Sequence, residues 1–465
     1  MKYGEIVRGV IDRFDKKGRG IFDISLPDGR KKPMAVPFTT VGDEVEATHI
    51  KREQGRYFGR LEQILSPGPD RIPLPDPVFK DFSGAMWLHI DYDAQLRFKR
   101  DMINRAFEEA GHDERIDAVI PDDPRPADHG HFFYRNRMDY VFGHKGEIGL
   151  KAYGAWNKYI DVRKDILLSP DVPAILDVFR AFMKEHPILE PWDAKHHRGD
   201  VRYAVIREGK HTGQRLIALV VKDLNRISDG MREVLKEKLD GFATDILLSE
   251  NSKMTDISYG VVQVPLKGDA IFEEEVNGTM YAIHVNSFFQ TNTAMAAKLQ
   301  DIVWDNVPAR ANRHPYTACR LLDLYCGLGF FAVNFARRDP ELVVKGFEID
   351  EASIELATDN AKQNGVGDRC EFFAEKSENL AWEDIDADTV IVDPPRAGLH
   401  PKVIQTLVDK KYPALIYVSC NYHRLTEELK KLKRAYRVDD VKALDLFPHT
   451  PHVEVVAKLT SRIET

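Results

Sequence analysis

The chain has 465 residues, of which 43% are hydrophobic and 30% charged, with a formal net charge of −8. That balance suits a soluble protein with a large core, and the length suits two or three domains of roughly 150 residues. It excludes a globally basic polyanion binder, so any nucleic-acid partner has to be met by local basic patches. No run reaches the ~18 to 20 apolar residues of a membrane span, and Met1-Lys2-Tyr3-Gly4-Glu5 opens no apolar signal segment. Four cysteines are too few for a disulfide framework and point to a reducing cytoplasm.

Residues 1–65 read as short strands at 5–11, 20–24, 43–47 and 57–61. Lys17-Gly18-Arg19-Gly20 and Pro27-Asp28-Gly29-Arg30 supply turn signals between them. This spacing suggests a small oligonucleotide-binding β-barrel, with an SH3-like packing module as the alternative. Lys16, Lys17, Arg19, Arg30, Lys31 and Lys32 are its candidate phosphate contacts. Ser66 to Pro77 holds five prolines and reads as a linker. An amphipathic helix follows at 93–110, with Leu96, Met102, Ile103, Ala106 and Phe107 on one stripe. The linker and the alternating strand-like and helical pieces up to 284 form a central α+β domain.

From 285 to 465 the pattern becomes βαβ. Strands are predicted at 320–325, 342–348, 370–373, 388–392 and 414–419, and helices at 329–338, 351–364, 400–409 and 424–434. The expected fold is α/β, a doubly wound parallel sheet. Strands at 441–447 and 453–459 add a terminal antiparallel hairpin, the edge of a class I methyltransferase rather than of a dehydrogenase.

Three strand ends carry the chemistry. After the first strand, Gly327 and Gly329 let backbone approach a ligand at a helix N-terminus. Ala332 stands where a dinucleotide fingerprint has its third glycine, which disfavours a pyrophosphate cofactor. Glu348 ends the second strand, where a carboxylate accepts both hydroxyls of an adenosine ribose, just ahead of an N-cap region at Asp350 and Glu351. Asp393, before the stiff Pro394-Pro395, is either a strand terminator or an acid held against a reacting group.

Cys319, Cys326 and Cys370 read as buried small hydrophobes. Cys420 differs, because it lies past the C-terminal end of a core strand, where open α/β sheets bind ligands. The helix after it is expected to favour thiolate. Glu454, opening the last strand, is the acid–base candidate if it is buried, and a solvated edge carboxylate if it is not.

The segments Ser287-Phe288-Phe289-Gln290-Thr291-Asn292, Asp323-Leu324-Tyr325-Cys326-Gly327, Asp393-Pro394-Pro395-Arg396-Ala397-Gly398, Val418-Ser419-Cys420-Asn421 and His452-Val453-Glu454 stand in the order found in one family. Together they resemble the RNA uracil-5 methyltransferases, and the N-terminal barrel is similar to their TRAM domain. The resemblance implies methyl transfer from S-adenosylmethionine to C5 of a uridine in transfer or ribosomal RNA. It implies Cys420 as nucleophile, Glu454 as base, and Asp393 near uracil and cofactor. Gln290, Tyr325, Gly327, Gly329 and Glu348 fall at cofactor-holding positions. Many members carry an iron–sulfur cluster, but Asp76, Phe82, Ala85 and Asp165 stand here at its cysteine positions, so no cluster and no other metal is expected. Phe330 replaces a residue that is often polar. A monomer is expected. The competing readings are an RNA cytosine-5 methyltransferase, which usually has a cysteine in the Pro-Pro loop, and a non-catalytic RNA-binding protein.

Overall fold

The computed structural model describes residues 2–26, 29–53, 55–126, 129–155, 157–308 and 320–462. Cys319 and the Pro27-Asp28 half of one turn signal lie outside them.

At the N-terminus six strands pair in the order Ile6–Val10, Glu44–Glu53, Arg56–Ser66, Lys31–Val36, Gly20–Ser25, Arg13–Phe14. The sheet curls on itself. A Cβ on Gly9 would lie 2.1 Å from the Phe22 ring on the opposite wall, so only glycine fits there. Met34, Val36, Val45 and Ala47 fill the barrel. Lys31–Val36 was not among the predicted strands. Its Lys31-Lys32-Pro33 start resembles a turn, but it pairs with Gly20–Ser25, with Pro33 opposite Asp23.

The central sheet runs Tyr159–Asp161, Ile148–Lys151, Arg137–Phe142, Val201–Glu208, Arg215–Val221, Asp245–Glu250, Val262–Lys267. Helices Val172–Glu185 and Asp229–Leu239 contribute Ile175, Leu176, Phe179, Leu235 and Leu239 to its core. A separate hairpin, Ile271–Val276 with Thr279–His284, binds the next sheet's helix Glu351–Gln363: Ala282 N donates to Asn360 Oδ1 at 2.8 Å.

The C-terminal sheet has eight strands. Cys370–Ala374, Val343–Glu348, Arg320–Leu324, Thr389–Val392 and Ala414–Ser419 run parallel. Glu454–Ser461 and Tyr436–Leu444 follow antiparallel, and Val119–Ile120 closes the edge. Thr389–Val392 and Ala414–Ser419 are buried at every position, as parallel strands covered on both faces must be. The hairpin's first strand starts at Tyr436, not 441, and stops at Leu444. Residues 445–447 leave the sheet because Asp445 turns to the Nζ of Lys99, 2.6 Å away and fully buried. Lys99 belongs to helix Tyr92–Glu109, which therefore docks on the C-terminal sheet.

Candidate active site

The loop after Arg320–Leu324 is wound through left-handed backbone. Tyr325, Gly327 and Gly329 have φ of 68°, 55° and 85°. Such a conformation costs little for glycine but strains Tyr325. The N–H groups of Tyr325 and Cys326 donate to Phe347 O at 2.8 and 3.1 Å, which folds the loop over the next strand. Glu348, at that strand's end, accepts from Gly327 N at 3.3 Å, Ile349 N at 2.7 Å and Asp350 N at 3.1 Å. Its carboxylate is thus oriented before any ligand arrives.

These residues fit an adenosine-type cofactor. A Cβ on Gly327 would meet no protein atom within 4 Å, so the loop presents bare backbone to open space. Beneath it Asp323 is fully buried, and both carboxylate oxygens lack a hydrogen-bond partner. Burial, then Asp393 and Glu348, push Asp323 up to about 8. The backbone N–H of Ala332 opposes that shift, and an acid left this short of partners has room for a donor from a ligand. Gln290 is buried in the loop ahead of helix Thr293–Asn306, and its carbonyl accepts from Asn136 Nδ2 at 2.8 Å. Arg207, from the central sheet, braces the same loop: its buried Nη1 donates to the carbonyls of His284, Val285 and Ser287 at 2.8, 3.0 and 2.8 Å. Phe330 faces away from solvent, packed with Tyr281, Phe289 and Phe331 at ring distances of 5.9, 5.7 and 5.0 Å.

Cys420 and Glu454 meet across two antiparallel strands. Ser419 pairs with Val455, so one step further the register sets Cys420 opposite Glu454. Glu454 is 3% exposed and its Oε1 has no partner. Burial, then Asp393, hold it well above the ordinary carboxylate range, against the pull of Arg396. Asp393 is pushed by burial up to about 7. The structure corrects the expectation of a helix-lowered thiol. Cys420 is pushed up to about 11 by burial, then by Glu454 and Asp393. Asn421 caps helix Tyr422–Leu432, and Cys420 stands one residue outside that cap. Two nearby carboxylates and desolvation outweigh the end of a dipole. Arg396 opposes both shifts, at Cys420 and at Glu454 alike.

The loop bearing Asp393 and Arg396 is fastened to the thiol strand twice. Asn421 Nδ2 donates to Arg396 O at 2.9 Å. Glu428 accepts from Tyr417 Oη at 2.6 Å and from Leu399 N at 3.1 Å. Arg396, Glu428, Asp323 and Arg207 were not among the predicted site residues. Arg396 was visible in the Pro-Pro-Arg run, and Asp323 in the strand-end motif; Glu428 and Arg207 carry no local signal.

Cys420 opens onto a cleft of about 1120 Å³ between the barrel, the central region and the C-terminal region. Lys16 and Lys17 come from the barrel, Arg135, Arg137 and Lys151 from the central region, and Arg396 and Arg424 from the catalytic end. Arg19 is turned away from this role, with its Nε 2.8 Å from Asp15.

At the cluster positions, Asp76 caps Val78 N at 2.9 Å and pairs with Lys164. Phe82 is buried edge-on against Phe79 at 5.3 Å. Asp165 accepts from Tyr140 Oη at 2.9 Å and from the N–H groups of Leu167 and Leu168. Aromatic packing and an acid committed to its own loop occupy the ground where thiolates would stand.

Residues 222–462 match the family model described as tRNA (Uracil-5-)-methyltransferase. A tRNA (uracil(54)-C(5))-methyltransferase of Pyrococcus horikoshii is 34% identical over 97% of this chain and 100% of its own length. A 23S rRNA (uracil(747)-C(5))-methyltransferase of the same organism is 32% identical over 98% of the chain and 100% of its own. The chain belongs to the RNA uracil-C5 methyltransferase family. A solved relative agrees along its whole length: the Pyrococcus abyssi tRNA (uracil-54, C5)-methyltransferase in complex with S-adenosyl-L-homocysteine superposes with a TM-score of 0.76 and 31% identity, over 98% of this chain and 100% of that one. The activity is S-adenosylmethionine-dependent methylation of uracil C5 in RNA.

Proposed function

We propose that the methylation runs through a covalent Cys420–C6 adduct on a uridine of transfer or ribosomal RNA, held in the cationic cleft by a monomeric, cytoplasmic protein. Among the described residues no helix is long and apolar enough to cross a membrane. The observation that carries the mechanism is the register that sets a half-buried thiol opposite a buried carboxylate whose Oε1 has no hydrogen-bond partner.

Uracil C5 is a poor nucleophile on its own. Cys420 gives up its thiol proton to solvent in the open cleft, and the thiolate adds to C6 and moves the ring's electrons toward C5 and O4. Arg396 favours that thiolate and stands ready for the charge that develops. When bound, S-adenosylmethionine supplies the electrophilic methyl group that no side chain can provide; Gln290, Tyr325, Gly327, Gly329 and Glu348 would hold it, with Asp323 beneath. Once C5 carries the methyl, Glu454, in the ionised form that Arg396 favours, takes the C5 proton; the C6–Sγ bond breaks, and passage of that proton to the released thiolate resets the pair. Asp393 shares the proton inventory of that pair, because burial and mutual repulsion keep both acids from ionising together.

Methylation of total transfer RNA and of ribosomal RNA fragments, with 5-methyluridine mapped by mass spectrometry, tests the reading. Product at one uridine of either class supports it and names the substrate. Methyl groups found only on cytosine would overturn it.

A further inference from the structure

A second cavity, of about 290 Å³, opens beside the catalytic cleft. It lies between the barrel, helix Tyr92–Glu109 and the start of helix Tyr422–Leu432, and shares Lys16, Tyr422 and His423 with the cleft. The catalytic steps described above use none of these three side chains. Its volume sits at the lower end for pockets that enclose small organic ligands, enough for one nucleoside and too little for a helix or a hairpin.

Two polar atoms in its wall are unexplained. Tyr422 is 6% exposed, and its Oη has no hydrogen-bond partner; nor has His423 Nε2. Both belong to one tilted ring pair, with centroids 4.4 Å apart. Leaving such groups dry and unpaired is costly unless a ligand completes them. Burial keeps the Tyr422 phenol protonated, so it donates. Burial, then Lys16, hold His423 below its usual range, so its imidazole is neutral and can accept. Arg13, Lys16, Arg56 and Arg105 line the cavity against two acids, Asp15 and Glu109. Arg13 is held by Asp12 and Asp23, and Asp15 by Arg19. Lys16, Arg56 and Arg105 remain exposed at the rim.

We infer that this cavity is a second nucleotide site, which takes the base of an RNA residue flanking the target uridine. Tyr422 and His423 read that base's edge, and the rim cations take its phosphate. The inference rests on the RNA reading above. The short tether argues for a flanking nucleotide rather than a distant one: Tyr422 is two residues from Cys420, at most about 7 Å of chain. A donor beside an acceptor, with neither charged, suits a nucleobase edge better than a second phosphate.

The test is a binding cycle with stem-loop RNAs that carry the target uridine. Each RNA has a single abasic nucleotide at one of the two positions on either side. At one position the lost base should weaken binding to wild type by about tenfold. The same abasic RNA and the intact RNA should then bind Tyr422→Phe, and separately His423→Leu, equally well. Arg105→Ala should lose the same factor on intact and abasic RNA, since the abasic nucleotide keeps its phosphate. Additive losses at every position, or no sensitive position at all, would overturn the inference. Methylation of the intact RNA is scored apart. Its absence would count against the uracil mechanism, while the binding cycle would still decide the cavity.

Discussion

Cys420 and Glu454 should fail in different ways. On the proposed mechanism Cys420→Ala removes the nucleophile, so methyl transfer should fall to background, a loss of at least several orders of magnitude. On the same mechanism Glu454→Gln should keep the attack and lose the acceptor of the C5 proton. It should accumulate a slow-migrating RNA–protein adduct on a denaturing gel, which Cys420→Ala never shows. Normal turnover by Glu454→Gln would move the base elsewhere, to Asp393 first. Arg396 makes a separate claim, because it favours the ionised forms of both Cys420 and Glu454. Arg396→Gln should therefore shift the rising limb of the kcat/KM profile to higher pH, and superimposable profiles would remove Arg396 from the electrostatics. Asp323 links the cofactor floor to stability. Its folded value of about 8 lies above the unfolded 3.8. Below 3.8 both states hold the proton; between 3.8 and 8 only the native state does, so stability declines as pH rises through that window and no further above it. Asp323→Asn should flatten that decline and raise the apo melting temperature at about pH 8 by a few degrees, while weakening S-adenosylmethionine binding in calorimetry. A variant that melts lower at that pH would contradict this account.

Among the elements, the loop Asp393–Leu399 depends most on its supports. Gly398 has φ of 82°, and a Cβ there would lie 2.1 Å from Glu428 Oε1 and 2.4 Å from Arg424 Cγ. Gly398→Ala should cost about 1 to 3 kcal/mol of local strain and loosen the loop from the thiol strand. Single-turnover methylation should slow at least tenfold while the melting temperature moves little; an unchanged rate would show that the loop's placement does not matter. Elements like this also mark how far the sequence could be read. Cys420, Glu348 and the two loop glycines were legible because each follows a buried apolar run, and chain order alone put those strand ends on one side of a parallel sheet. Glu454 opposite Cys420 followed from the hairpin. Glu428 and Arg207 were not legible. Each looks like an ordinary charge on a helix or strand, and only tertiary packing turns it inward to brace a loop far away in sequence. The strand Lys31–Val36 was hidden by Pro33, and the early start at Tyr436 by Arg437, Asp439 and Asp440, because local polarity resembles a turn wherever neighbouring strands decide the pairing. The thiol's raised value was missed for the same reason: a helix end is visible in sequence, while two facing carboxylates are not.

At the scale of the whole molecule, a net charge of −8 has to coexist with a polyanionic substrate. The cleft resolves this by collecting cations from the barrel, the central region and the C-terminal region around one thiol. Of the basic residues suspected in the barrel, the cleft receives Lys16 and Lys17, while Arg19 is spent on Asp15. RNA binding should therefore depend on salt through a small number of identifiable charges rather than through bulk electrostatics. Removing one cation–phosphate pair lowers the slope of log K against log salt by about 0.7 to 0.9. Lys16→Gln with Lys17→Gln should then lower the slope by about 1.5 and weaken binding more at low salt than at high. Both side chains are exposed at the barrel surface, so the double variant should melt as wild type does. Replacing Lys31 and Lys32, which the cleft does not include, should leave the slope where it was. If the two pairs behave alike, the barrel acts as a diffuse positive surface and not as one wall of the cleft.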